Sequence, residues 1–209
     1  MYRLDYQYTH DLDWFCKIND IPVHLASNGG NLPHRSYTIK KLVALQHRVA
    51  NMQQSFRCVV NVAFLEEYLQ RGEYYDELVN VSQEDLRTML PERFELTDEV
   101  SGLSRTMLLY SWSFIEMAKR GFCSFDRREE DGLYHLVAWP YGYDGQQFDK
   151  EVYGSLVEYR ACCFPPFHED YGTNMPDCVR FDVESISYFY DKKGSSGKCI
   201  DGIVKRKEF

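Results

Sequence analysis

Three groups of residues carry types and spacings that could do chemistry. The first is His24 and Ser27, set ahead of Asn28-Gly29-Gly30. A serine beside a glycine loop can act as a nucleophile while backbone N–H groups hold the oxyanion. A hydrolase elbow, however, needs glycine two positions before the serine, and Leu25 stands there. The competing reading is a strand end closed by a tight turn. The second group is Cys162-Cys163 with His168. Neighbouring residues on a strand face opposite sides, so the two thiols are poorly placed to share a metal. The chain contains no Cys-x-x-Cys pair, and no zinc site is expected.

The third group is a charged strand face. Glu158 and Arg160 share one side of a strand over 154–163, and Arg180, Asp182 and Glu184 share one side of a strand over 178–190. Were the two strands neighbours, these carboxylates could hold a divalent cation for phosphate chemistry. Glu158-Tyr159-Arg160 resembles half of the Asp/Glu-x-Lys motif of restriction-type nucleases. Arg stands in place of the Lys, and no Pro-Asp precedes it. The solvated face of an antiparallel sheet, carrying cross-strand ion pairs, explains the same pattern and is preferred. Mixed charges at 125–131 (FDRREED) predict a solvated loop after a helix end.

The elements that must position these residues follow from periodicity. Trp14, Cys16 and Ile18 alternate with Phe15 and Lys17, then Val23 and Leu25 alternate with His24 and Ala26. With Asn19-Asp20 between them, residues 14–27 predict a β-hairpin. Residues 37–53 place Ile39, Leu42, Val43, Leu45, Val49 and Met52 on one half of a helical wheel. A strand is expected over 55–63, and short helices over 63–71 and around 82–89. The most apolar helix spans 98–120, with Asp98 as N-cap, Gly121 past its end, Leu103, Met107, Phe114 and Met117 buried, and Leu108, Ile115 and Ala118 widening the stripe. Leu109 and Trp112 fall on its polar side and need another cover. From 132 onward the period turns to two, with strands over 133–139, 154–163, 178–190 and 199–207 and an antiparallel hairpin through Gly194-Ser195-Ser196-Gly197. The sum is one α+β domain over 1–209: an N-terminal β-hairpin, a helical middle with a buried helix near 98–120, and a C-terminal antiparallel sheet.

Composition bounds the function. The chain has 209 residues, 44% hydrophobic and 15% aromatic, which excludes a disordered chain. Twenty-four Lys and Arg stand against 32 Asp and Glu, a net charge of −8 that disfavours nucleic acid as a partner. No apolar run is long enough to cross a membrane and no signal sequence opens the chain. Seven irregularly spaced cysteines point to reduced thiols and a cytoplasmic protein. No cofactor and no metal are expected. Aromatic residues in two loops supply a different opportunity: Tyr141 and Tyr143 in one, Phe167 and Tyr171 in the other, rimmed by Asp144, Glu169 and Asp170. Stiff aromatic anchors with a polar rim suit an interface. The sequence therefore points to a non-enzymatic binder of another protein, of inhibitor, immunity-type or adaptor character. The alternative is a metal-dependent phosphodiesterase or a Cys/Ser hydrolase.

Overall fold

The computed structural model describes residues 12–18, 20–28, 39–71, 102–128, 134–141 and 147–159. The hairpin forms where its alternation predicts it. β1 (Asp13–Ile18) and β2 (Ile21–Ala26) pair antiparallel, with Ile18 opposite Ile21. Asp20 takes a positive φ of 65°, which a two-residue turn demands and aspartate tolerates. Then come α1 (Ile39–Ala50), β3 (Arg57–Val60), α2 (Val62–Arg71), α3 (Arg105–Lys119), β4 (Cys123–Arg127), β5 (Tyr134–Tyr141), α4 (Lys150–Ser155) and β6 (Val157–Tyr159).

The strands make one six-stranded sheet in the order β3-β5-β4-β2-β1-β6. It is mixed: β2 runs parallel to β4 and β1 parallel to β6, while the other pairs are antiparallel. The hairpin is thus the middle of the sheet and not a separate N-terminal unit. The expected strands over 178–190 and 199–207 lie outside the described residues. Two further expectations need correction. Residues 123–127 form a central strand in place of a solvated loop, because Cys123 and Phe125 alternate with Ser124 and Asp126 and all four are buried. The strand expected over 154–163 begins as the short helix α4, capped by the Asp149 side chain, before β6.

One sheet face buries Trp14, Cys16, Ile18, Val23, Leu25, Cys123, Phe125, Tyr134 and Leu136. The other packs on helices. Ala26, Cys58, Val137 and Ala138 meet α2 and α3, and Phe15 meets Leu45 and Val49 of α1 with Phe148 and Val152 near and on α4. Across this face the rings run in an unbroken chain. His135 stacks on Phe64, Phe64 on Tyr68, and Tyr68 meets Tyr110, which stacks on Phe114. Phe114 meets His24, then Phe15, Phe122, Phe148 and Tyr153 follow, with centroid separations between 5.0 and 6.0 Å. These are the separations at which aromatic pairs attract.

α3 starts later than the sequence expectation, and its burial centres on Leu108, Phe114, Ile115 and Ala118. Ser104, not Asp98, is its N-cap, and its Oγ accepts from the Met107 N–H at 3.2 Å. Leu108, Ser111, Phe114, Ile115, Glu116 and Ala118 are among its buried residues, whereas Leu103, Met107 and Met117 are half-buried. Leu109 and Trp112 are half-buried against the same cluster. The helix end is as expected. Gly121 has φ of 99°, its N–H donates to Ala118 O, and the Phe122 N–H donates to Met117 O. Beside it, buried Arg120 donates from Nη1 to Glu116 O at 2.9 Å and from Nη2 to Ala50 O at 3.4 Å. One guanidinium thereby serves the negative ends of both α1 and α3.

Two predictions follow from this packing. A Cβ at Gly121 would stand 2.8 Å from ring carbons of both Phe148 and Phe56, at a φ that side chains rarely adopt. Gly121→Ala should therefore destabilise the fold by about 1–3 kcal/mol in urea unfolding. Cys16, Cys58 and Cys123 are buried, and burial, then the Glu158 charge, push the Cys16 thiol well above the ordinary range. Alkylation of these three thiols should wait on unfolding, and modification of the folded chain at Cys16 would contradict the packing.

Candidate functional site

Strand register gathers polar side chains on the helix-covered face of the sheet. Asp13 lies opposite Ala26, Ala26 beside Asp126, and Asp126 opposite His135, one row across β1, β2, β4 and β5. The next row holds Phe15, His24 and Ser124. Small Ala26 leaves room between the two carboxylates of its row. A bulge at Ser124/Phe125 gives β5 an extra residue, Val137. Asn61 satisfies the carbonyls there: its N–H donates to Val137 O and its Nδ2 to Leu136 O, both at 2.9 Å. The Asn61 Oδ1 accepts from the Phe64 N–H, so the same residue caps α2.

His24 is buried and holds a partner at each ring nitrogen. Nε2 lies 3.1 Å from Asp13 Oδ1 and Nδ1 lies 2.6 Å from Ser124 Oγ. A carboxylate only accepts, so Nε2–H donates to Asp13, and in the neutral ring Nδ1 accepts from the Ser124 hydroxyl. Desolvation pushes the Asp13 carboxyl up, but the His24 hydrogen bond and charge outweigh it and hold the group below its ordinary value. On the neighbouring row, the Tyr110 hydroxyl donates to Asp126 Oδ2 in a short hydrogen bond. Burial first, then the Asp126 charge and this bond, keep Tyr110 protonated far above its usual range. The Arg128 guanidinium lies 5.0 Å over the Tyr68 ring at the rim of this cluster.

Asp13, His24 and Ser124 have the order of a carboxylate–imidazole–hydroxyl relay. Ser124 is 0% exposed, with its strand flanked on both sides and α3 above, so Oγ is closed to a substrate in this arrangement. The relay ties the hairpin to the central strand through the buried His24 and Ser124, with Asp13 at its exposed end. The sequence missed it because 125–131 resembles a loop. The signal was present in Cys123-Ser124-Phe125-Asp126, whose alternation is that of a strand.

The residues singled out from sequence fare differently. Ser27 is enclosed and its Oγ accepts from the Leu12 N–H at 2.9 Å, which commits it to the end of the hairpin, away from His24 chemistry. Gly29 and Gly30, Cys162, Cys163 and His168, and Arg160, Arg180, Asp182 and Glu184 lie outside the described residues. Glu158 sits on β6 and pairs with Lys17 of β1 at 3.4 Å. Lys17 also lies 4.4 Å over the Tyr153 ring, whose hydroxyl donates to Asp20 O. Tyr141 ends β5 and is 60% exposed, with the Arg57 guanidinium 5.5 Å over its ring. Tyr143, Asp144, Phe167, Glu169, Asp170 and Tyr171 lie outside the described residues. Among the described residues no group of three His, Cys, Asp or Glu is placed to hold a metal ion, and no helix is long and apolar enough to cross a membrane.

The chain matches no protein-family model, no curated protein and no solved structure.

The relay sets a pH dependence of fixed sign. A carboxyl held below its unfolded value stabilises the fold above about pH 4 and loses that contribution as pH falls through the folded value. Wild-type stability should fall more steeply below about pH 4 than that of Asp13→Asn, measured by urea unfolding at stepped pH. Parallel pH curves for the two proteins would show that the Asp13–His24 contact contributes nothing.

Proposed function

We propose that the protein works by binding a protein partner through an aromatic surface that begins at Tyr141. The observation that supports this reading is the setting of Tyr141. A large ring, mostly exposed, stands at the end of a buried strand with a guanidinium against it. A tyrosine held on a paired strand loses little freedom on binding, and Tyr and Arg are both enriched at the energetic centres of interfaces. On this reading Tyr143, Phe167 and Tyr171 extend the surface, and Asp144, Glu169 and Asp170 form its steering rim. The polar groups of the sheet interior serve the fold instead, since their hydrogen bonds are spent on one another. On this reading the irregularly spaced cysteines stay reduced in a cytoplasmic setting.

The test is partner recovery. Tyr141→Ala combined with Tyr143→Ala should abolish capture of the native partner while leaving the thermal midpoint within about 2 °C. Glu158→Gln combined with Asp182→Asn and Glu184→Gln should leave capture intact. Retained capture by the tyrosine variant would remove the proposed surface. Loss of function in the amide variant, with the fold preserved, would transfer the site to the charged strand face and its phosphodiesterase chemistry.

A further inference from the structure

α1 breaks the electrostatic habit of the chain that contains it. The protein carries −8, yet Ile39–Ala50 contains no acidic residue. Leu42, Leu45 and Val49 are buried, which turns Lys40, Lys41, Val43, Ala44, His47 and Arg48 outward. On the wheel, Lys40, Lys41, Ala44, His47 and Arg48 form one continuous basic stripe. Val43, 43% exposed, flanks it and is one of few large apolar side chains left open among the described residues. Among these residues neither Lys40 nor Arg48 makes an ion pair.

The arrangement costs helix stability locally. Lys40 and Lys41 sit in the first turn, where the helix dipole is positive and acidic residues are favoured. Both lysines are exposed. The two lysines and the dipole add to a single positive field at that end of α1, and Arg48 extends it by two turns. An exposed basic stripe with an apolar flank complements a helix bearing acidic residues beside an apolar stripe. Duplex or single-stranded nucleic acid fits less well, because its extended charge meets the net negative field of the rest of the surface.

We infer that the outer face of α1 is a docking surface for an acidic amphipathic helix of a partner protein. This rests on the binding reading above, but it uses a different face from Tyr141. The contact is electrostatic at its rim and falls off beyond about 8 Å at physiological salt. Its strength should therefore decline as salt is raised.

The experiment uses the full chain and a fluorescein-labelled synthetic helix with leucines on one face and glutamates on the other. Anisotropy should show saturable binding that weakens on adding salt. Lys40→Glu with Arg48→Glu should weaken it by about tenfold, because each reversal removes an attraction and adds a repulsion. Both positions are exposed, and an unchanged thermal midpoint confirms that the variant is folded. Tyr141→Ala should leave peptide binding unaltered. Failure of the peptide to bind, or binding indifferent to the charge reversal, overturns the inference while leaving the Tyr141 surface standing. Stronger binding of a short single-stranded oligodeoxynucleotide than of the peptide overturns it in favour of nucleic acid. Self-association of the chain that the reversal abolishes overturns it in favour of a second copy. Loss of native-partner capture in the tyrosine variant, with peptide binding retained, separates the two surfaces.

Discussion

The helix-covered face of the sheet buries carboxylate, imidazole and hydroxyl groups inside a layer of aromatic rings. That combination is the constraint on which the rest depends. A polar group removed from water without a partner costs more than a core contact returns, so each must find its hydrogen bond within the layer. Strand register does this work. Placing His24 beside Ser124 and opposite Phe15 brings Asp13 within reach of one ring nitrogen and Ser124 of the other. A slip of one residue would turn His24 and Asp126 to the opposite face, among Trp14, Leu25 and Phe125. The polar row is therefore a register lock, and the aromatic chain packs only when the lock is closed.

The charges at the helix ends obey the same rule by another route. Arg120 and Glu116 are both buried, and a lone ion there would be expensive. Arg120 uses the carbonyls at the ends of α1 and α3 as acceptors in addition to its carboxylate neighbour. Gln54 donates to the other Glu116 oxygen, and the Phe56 N–H takes the Lys119 carbonyl. The segment joining α1 to β3 is thus fastened to the end of α3 before β3 enters the sheet. Gly121 then turns the chain directly into β4. Two helices, a loop and a central strand meet at one buried cation.

How much of this was legible in the sequence depends on how local each cause is. The hairpin was legible because alternation and an Asn-Asp turn lie within a few residues. Gly121 was legible because a positive φ at a helix end needs glycine. The start of α3 was not, since Asp98 and Ser104 are both chemically fit caps and residue type alone does not choose between them. β4 was misread because Asp126 and Arg127 have the composition of a loop, and the Tyr110 hydroxyl that helps satisfy the carboxylate within the sheet comes from α3. The polar row was beyond reach, because its members stand far apart in sequence and meet only through sheet order. Tyr141 was named as an aromatic in a loop with acidic neighbours, whereas it stands at the end of β5, one residue beyond the buried Pro140.

The parallel pairing of β2 with β4 has a consequence for how the chain is made. His24 and Ser124 are 100 residues apart, and β4 cannot dock until α3 and its turn have emerged. At about 5–20 residues per second, the hairpin waits roughly 5–20 s after its own synthesis for the neighbour that covers it. During that interval both edges of an apolar ribbon stand open, with Trp14, Val23 and Leu25 on one side. Such a ribbon is a template for other nascent strands. Until Ser124 arrives, Asp13 and His24 place polar groups beside Phe15 and Ala26 on the other face of that ribbon. A feature that fixes register in the finished sheet thereby also lowers the stickiness of its unfinished precursor on the ribosome.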